Sequence, residues 1–413
     1  MRKQMQNAAG KRKKEEAMNT TRNERPLLIV GGGIGGLATA YALAQIGRPS
    51  HVLEQSKEFG EVGAGIQLGP NVFKMFDRMG LTEAINAVAF FPENLIMKDG
   101  LTGQEITRLP VGIQAFRDRY QYPYAVIYRV DLLDVLHDAC RKSPLIKLST
   151  NQKVVDFADT GSGVTVTTED GQSHEGCALV GADGLWSKVR GHVVGDGKPQ
   201  VSGHIAYRAV LPINEVEEEH RPNSVVLWAG PKTHLVHYPL RRGEIYNLVA
   251  VFHSDRYEEG WNVFGDTDEL NAKFKDAHPT VKHLLNKINV WKMWVLCDRE
   301  PVKNWTKGRI TLLGDAAHPM LQYLAQGACM ATEDAVVLAN KVAEAGDDYA
   351  SAFQAYNQER YLRTSRVQLY ARLYGEFYHA GGVRAEIRNE LLKPTPGKQP
   401  GEGMAWLYDG IQA

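Results

Sequence analysis

A short apolar run within Arg25 to Val30 is cut by the glycines of Gly31 to Gly36, and an Ala/Leu-rich stretch, Leu37 to Ile46, then runs to Gly47. That order predicts strand, tight turn, helix. A second short strand, His51 to Glu54, ends in an acid and completes a compact βαβ unit. Asn71 to Met79 and Leu132 to Lys142 carry apolar residues at helical spacing. Lys153 to Thr168 alternates as two strands around Gly161 to Gly163, and Ala178 to Val180 reads as a short buried strand. The texture changes between Gly203 and Val295. Ile205 to Val210, Ser224 to Trp228, Thr233 to Leu240 and Ile245 to Phe252 are strand-like, with turn clusters at Ala229 to Lys232 and Arg241 to Glu244, which predicts an antiparallel meander. The α/β pattern returns with a strand over Arg309 to Leu313 and a helix from Gly327 to about Ala343, and the chain after Tyr349 is helical in pattern.

Composition excludes several classes. With 413 residues, 43% of them hydrophobic, the chain can bury cores for two or so domains, so whole-chain disorder is ruled out. Lys plus Arg and Asp plus Glu are equal at 48, and no net field recruits nucleic acid or an anionic membrane. Cys140, Cys177, Cys297 and Cys329 form no CxxC pair, so a reducing cytoplasm is expected and no metal site is. The basic residues before Lys14 followed by Leu27 to Ile46 mimic a signal anchor, but glycines dilute that run and no membrane span is expected. Residues 1–24 are polar, lack periodicity and read as a disordered tail.

Gly31, Gly33 and Gly36 match G-x-G-x-x-G, and each has a mechanical task. The first permits the turn, the second lets a diphosphate approach the backbone, and the third lets the helix pack on the strand. The helix N-terminus offers free N–H groups to phosphates. Glu54, 21 residues beyond Gly33, stands where a ribose hydroxyl needs an acceptor. The pattern points to a dinucleotide without saying which.

Two further motifs bear on that choice. Gly181, Ala182, Asp183 and Gly184, continuing to Ser187 and Arg190, and then Gly314, Asp315, Ala316, Ala317, His318 and Pro319, follow the glycine turn in order. With them the chain resembles the single-component FAD-dependent aromatic hydroxylases of the para-hydroxybenzoate hydroxylase type over most of residues 26 to 345. The resemblance implies an α/β fold in which a Rossmann-like FAD-binding domain carries an inserted antiparallel β-sheet substrate domain and C-terminal helices. Residues 25–90, 119–199 and 298–345 would form the FAD-binding domain, 91–118 and 200–297 the substrate domain, and 346–413 a helical region.

It also implies chemistry. FAD is bound, NADH or NADPH reduces it transiently, and molecular oxygen forms a flavin C4a-hydroperoxide that hydroxylates a phenol. Asp315 would accept from a ribitol or ribose hydroxyl, and the helix opened by Gly327 and Ala328 would face the flavin pyrimidine ring. Taken singly, Asp315 is equally a helix cap and His318 a packed histidine. Arg129 occupies the place of the family's cofactor-contacting arginine, with an ion pair to Asp131 as its rival reading. Gly63 to Ile66, with Gly65 against the ring, resembles the flavin-edge loop. A second G-x-G-x-x-G is absent from the sequence, and the resemblance places the nicotinamide in a groove near Asp183.

The hydroxylated phenol reacts well only as phenolate, so the chamber needs a base. Strand alternation over Thr233 to Leu240 puts His234, Val236 and Tyr238 on one face and Leu235 and His237 on the other. Taken alone, His234 reads as a satisfied edge-strand histidine. The strings from His234 to Leu240, Gly314 to Gly327 and Phe59 to Gly65 look most like the family's 3-hydroxybenzoate 6-hydroxylases, with His237 and Met320 as departures. That likeness implies that His234 and Gln322 handle the hydroxyl proton, that Tyr124 and Tyr238 line the site, and that the base titrates near the ordinary value of roughly 6.5. Ile66, Leu227, Val236 and Leu324 are the expected apolar walls. The expected substrate is a small phenolic acid such as 3-hydroxybenzoate, giving 2,5-dihydroxybenzoate. Salicylate and 6-hydroxynicotinate are the alternatives, as is a flavin-binding protein that does not hydroxylate. Homodimerisation is left open, and the motifs alone name no arginine as carboxylate anchor.

Overall fold

The computed structural model describes residues 25–60, 63–256, 263–393 and 401–411. The expected tail, 1–24, lies outside the described residues, as do Glu61 and Val62 of the segment after Phe59.

The first βαβ unit forms where the pattern predicts it. Strand Leu27–Val30 is wholly buried, helix Ile34–Gln45 follows, and strand Ser50–Leu53 pairs alongside in parallel. A Cβ at Gly36 would lie 1.9 Å from the Gly31 carbonyl oxygen, so only glycine allows the helix this close to the turn. Gly31 itself has φ +105, and a Cβ there would meet the Ala182 carbonyl oxygen at 2.4 Å. These strands belong to a six-stranded sheet in the order Thr306–Lys307, Ile310–Leu312, Ala178–Gly181, Leu27–Val30, Ser50–Leu53, Ile146–Ser149. Only its first pair is antiparallel. Its central strands, Leu27–Val30 and Ala178–Gly181, are apolar on both faces, as a covered parallel sheet requires, and helices Ile34–Gln45 and Gly327–Ala345 pack together in the same core.

A seven-stranded sheet gathers Lys292–Asp298, Gln200–Pro212, Ile245–His253, Thr233–Leu240, Ser224–Gly230, Asn94–Asp99 and Glu105–Pro110 in that order. The strands between Gly203 and Val295 pair antiparallel, as expected. Ser224–Gly230 and Asn94–Asp99 run parallel, because the last two strands of the sheet are a hairpin from an earlier pass of the chain. That hairpin is only partly buried and carries no clean apolar alternation, which is why the pattern did not reveal it.

Period-2 alternation divides the sheet's side chains into two clusters. Ile205, Tyr207, Leu235, Leu248 and Phe252 pack with helices Thr267–Lys273 and Pro279–Leu285. Ala206, Val236, Tyr238, Val249 and Val251 pack instead with Leu321, Tyr323 and Ala371. The 30-residue helix Tyr349–Tyr378 joins the two cores, with Phe353 and Tyr356 in one and Ala371 in the other. Among the described residues no helix is long and apolar enough to cross a membrane.

Candidate active site

A cavity of about 890 Å³ is lined by strands of the seven-stranded sheet and by turns and helices that follow strands of the six-stranded one. Its two ends offer different chemistry.

At the first end, Gly33, Ile34 and Gly35 open one helix and Gly327 and Ala328 open another, so two helix N-termini face one space. A Cβ at Gly327 would meet nothing nearer than 3.9 Å, and one at Gly184 nothing within 4 Å, so both backbones stand open. Asp315 lies in the same wall, accessible through the cavity while otherwise enclosed by protein. Burial raises its carboxyl pKa against the pull of His318 and Arg129. Arg129 also lines this wall. Asp131, at the start of the same helix, is engaged by Arg241 at 2.7 Å. Two dipole ends, a carboxylate and bare glycine backbone fit a dinucleotide with a hydroxylated chain between its diphosphate and a flat ring.

Glu54 does not line the cavity. Its carboxylate accepts from the backbone N–H of Gly32 at 2.6 Å and of Ser56 at 2.8 Å, bracing the glycine turn from outside.

At the second end, strand Thr233–Leu240 presents His234, Val236 and Tyr238 to the cavity. His237 turns away, accepting from Trp228 Nε1 at 2.9 Å and lying 2.6 Å from the Tyr246 hydroxyl. Gly65 lies against Tyr238, where a Cβ would come within 2.6 Å of the ring. Tyr124 donates to Gln67 Oε1 at 2.5 Å, and burial raises the phenols of both Tyr124 and Tyr238. Gln322 enters from the short helical turn Gln322–Leu324, and its Oε1 accepts from Arg208 Nη2. Because arginine only donates, this contact turns the Gln322 amide N–H groups towards the remaining space. Ile66, Leu227, Leu324 and Met320 supply apolar wall.

His234 departs from expectation. Burial, helped by His204, holds its imidazole down to about 3 rather than near the ordinary value, so it is neutral throughout the working pH range. Its Nδ1 lies 2.7 Å from His379 Nε2, leaving Nε2 for the cavity.

The family model for the FAD binding domain matches residues 24–369. The chain is 46% identical over 383 residues to 3-hydroxybenzoate 6-hydroxylase 1 of Aquipseudomonas alcaligenes, covering 92% of this chain and 97% of that protein. It is likewise 46% identical over 382 residues to 3-hydroxybenzoate 6-hydroxylase of Klebsiella oxytoca, covering 92% and 96%. The fold is shared with Klebsiella pneumoniae HpxO, solved with FAD and uric acid, at a TM-score of 0.81 and 24% identity over 93% of this chain and 95% of that one. The chain belongs to the FAD-dependent aromatic hydroxylases.

Within this hydroxylase the second motif braces its own turn. Asp183 does not line the cavity; its carboxylate accepts from the Ser187 hydroxyl at 2.5 Å and from the N–H groups of Lys188 and Val189 at 2.8 and 3.2 Å, at the start of helix Lys188–Val193, whose N-cap is Ser187. Arg190 then ties the second motif to the third, donating to the carbonyls of Ala316 and Ala317 at 2.9 and 2.6 Å. His318, unassigned by the sequence, bonds Asp334 at 2.6 Å in a buried ion network.

The residue that sequence reasoning missed is Arg208. It sits on strand Gln200–Pro212 in the same wall as His234 and Gln322, with its Nε buried and without a partner among the described residues. Its guanidinium lies 5.4 Å from the Trp294 ring centroid. Burial lowers its pKa to about 10, which leaves it cationic at neutral pH. Alternation carried the signal: in Gly203 to Val210, Arg208 shares its face with Ala206 and His204, opposite Ile205 and Tyr207.

Proposed function

We propose that this chain hydroxylates 3-hydroxybenzoate at the ring carbon para to its hydroxyl, giving 2,5-dihydroxybenzoate, as a step in aromatic catabolism. The single observation that carries the reading is one cavity that joins a dinucleotide-fitting end to an end holding His234, Gln322, Tyr238, Tyr124 and the buried cation Arg208. The named relatives act on this substrate, and the identity extends over nearly the whole chain.

Gly31, Gly33 and Gly36 with the first helix hold the diphosphate, Asp315 and Arg129 hold the hydroxylated chain, and Gly65, Gly327 and Ala328 border the ring. FAD held there would supply the redox chemistry, with electrons from NADH or NADPH and an oxygen atom from molecular oxygen. The chain's own residues prepare that ring. Arg208 receives the substrate carboxylate, since a buried guanidinium with an unused Nε–H matches an anion by charge-assisted hydrogen bonds. The Gln322 amide donates to the phenolic oxygen, which favours its ionised form. His234 Nε2 accepts the phenolic proton. Tyr124 and Tyr238, kept protonated by burial, fix the ring edge, and the apolar wall excludes water. No disulfide forms among the described residues, which suits a cytoplasmic enzyme.

The test is a panel of monohydroxybenzoates, salicylate and 6-hydroxynicotinate with the FAD-loaded protein, following oxygen uptake and product chromatography. Hydroxylation of 3-hydroxybenzoate at position 6 is expected; a preference for salicylate with hydroxylation at its carboxyl-bearing carbon would overturn the substrate.

A further inference from the structure

His234 is not an isolated base. Strand pairing sets His204 opposite His253 and His234 opposite Val251, so three histidines gather at one end of the sheet from strands Gln200–Pro212, Thr233–Leu240 and Ile245–His253. His379, at the C-terminus of helix Tyr349–Tyr378, closes over them. His234 Nδ1 lies 2.7 Å from His379 Nε2, and His379 Nδ1 lies 3.0 Å from His253 Nε2. His234 and His379 are buried while His253 is half-buried, so the line runs from the cavity wall towards solvent.

We propose that His234, His379 and His253 form a proton wire that carries the phenolic proton out of the chamber and returns it when the product forms. The inference rests on the proposed role of His234 as the atom that meets the phenol. In the starting tautomers, Nδ1–H of His234 donates to Nε2 of His379, and Nδ1–H of His379 donates to Nε2 of His253. The phenolic O–H bond breaks with its electron pair left on oxygen, and an N–H bond forms at His234 Nε2. The Nδ1 proton of His234 passes to His379 Nε2, the Nδ1 proton of His379 passes to His253 Nε2, and His253 gives its own Nδ1 proton to water. Every ring ends neutral in its other tautomer. Rearomatisation of the product leaves an oxygen that needs a proton, and the reverse passage supplies it and resets the tautomers.

The surroundings explain why a wire is needed. Burial keeps His234, His204 and His379 well below the ordinary imidazole range, so a proton taken from a phenol near pKa 10 cannot rest on His234. His234 faces the rings of Tyr323 and Tyr378, and His204 is held by the Tyr323 hydroxyl at 2.6 Å, outside the line. No carboxylate hydrogen-bonds to these histidines among the described residues, so nothing traps the charge midway. At the outer end burial lowers the proton affinity of His253, with Lys232 and Lys273 adding to the effect and Glu376 opposing it, which favours release.

The experiment uses the FAD-loaded protein without oxygen, mixed rapidly with 3-hydroxybenzoate, reading phenolate absorbance and proton release to an indicator dye. His379→Gln and His253→Gln keep hydrogen-bonding groups but cannot hand a proton on. Both are expected to slow proton release at least tenfold with substrate affinity little changed, and added imidazole should restore the rate in His253→Gln. Release at the wild-type rate in His253→Gln would overturn the wire, and this variant decides the matter if His379→Gln does not fold. Full hydroxylation by His234→Ala at neutral pH would instead sink the base assignment, so the two failures are distinguishable.

Discussion

Two buried polar clusters in this molecule follow opposite rules. Glu333 and Asp334, on helix Gly327–Ala345, are wholly buried yet charged, because Arg360 reaches them at 2.7 and 2.6 Å, Arg363 adds a contact to Glu333 at 2.7 Å, and His318 lies 2.6 Å from Asp334. Burial would push both carboxyls up, but these partners together outweigh it, and Asp334 is held down to about 2. The histidines of the second sheet have no such counter-charge and go neutral instead. A buried charge survives only in contact with its opposite. The first cluster therefore fastens the long helix Tyr349–Tyr378 to the nucleotide end of the cavity, with Asn71 linking Glu333 to Gln326 beside Gly327. The second leaves a line of neutral donors and acceptors that can pass protons without storing them.

The contrast is broken most directly by Arg360→Met, which strands two buried carboxylates. A loss of about 3–5 kcal/mol is expected, read as a fall in the midpoint of chemical denaturation, and an unchanged midpoint would contradict the account. The neutral cluster is tested by His234→Ala, which should retain FAD while hydroxylation at neutral pH falls roughly 10²–10⁴-fold, with partial recovery as pH rises towards the phenol's own pKa. Arg208→Gln sharpens the division of labour within the chamber. It should raise KM for hydroxybenzoates about 10- to 100-fold and leave FAD affinity alone; equal weakening for a phenol that lacks the carboxylate would remove the anchor role.

The gentlest test is the pH dependence of stability. His234 and His237 are held to about 3 and His204 to about 4, below the unfolded value of roughly 6.5, so the unfolded chain binds more protons than the folded one in acid. Stability from this source is whole above pH 6.5 and falls from there to about 4 for His204 and about 3 for His234 and His237, at up to about 1.4 kcal/mol per pH unit for each fully buried histidine. Asp334, depressed below its unfolded value, loses its contribution only as pH falls further towards 2. A Tm that stays flat from pH 7 to 5 would mean that the histidines are charged in the folded protein.

The nucleotide end of the cavity was legible in the sequence because its parts are local. Glycines at 31, 33 and 36 act within one turn, where a Cβ at Gly31 or Gly36 would collide with backbone, and Gly327 and Ala328 act by opening a helix. The face of His234, Val236 and Tyr238 was legible too, since alternation along one strand is a local rule. That the Asp183 carboxylate also holds its own turn was not legible, because a string of residues does not show which backbone groups a carboxylate meets.

By itself, then, the sequence determined most of the order of strands and helices, the glycine turn between the first strand and its helix, and which side chains of one strand share a wall. Tertiary structure alone decided that Arg208 meets Gln322 across 114 residues and that His379 meets His234 across 145. It also decided which buried groups stay charged. Ionisation depends on desolvation and on the nearest opposite charge, and both are properties of distances in space that periodicity along a chain does not encode.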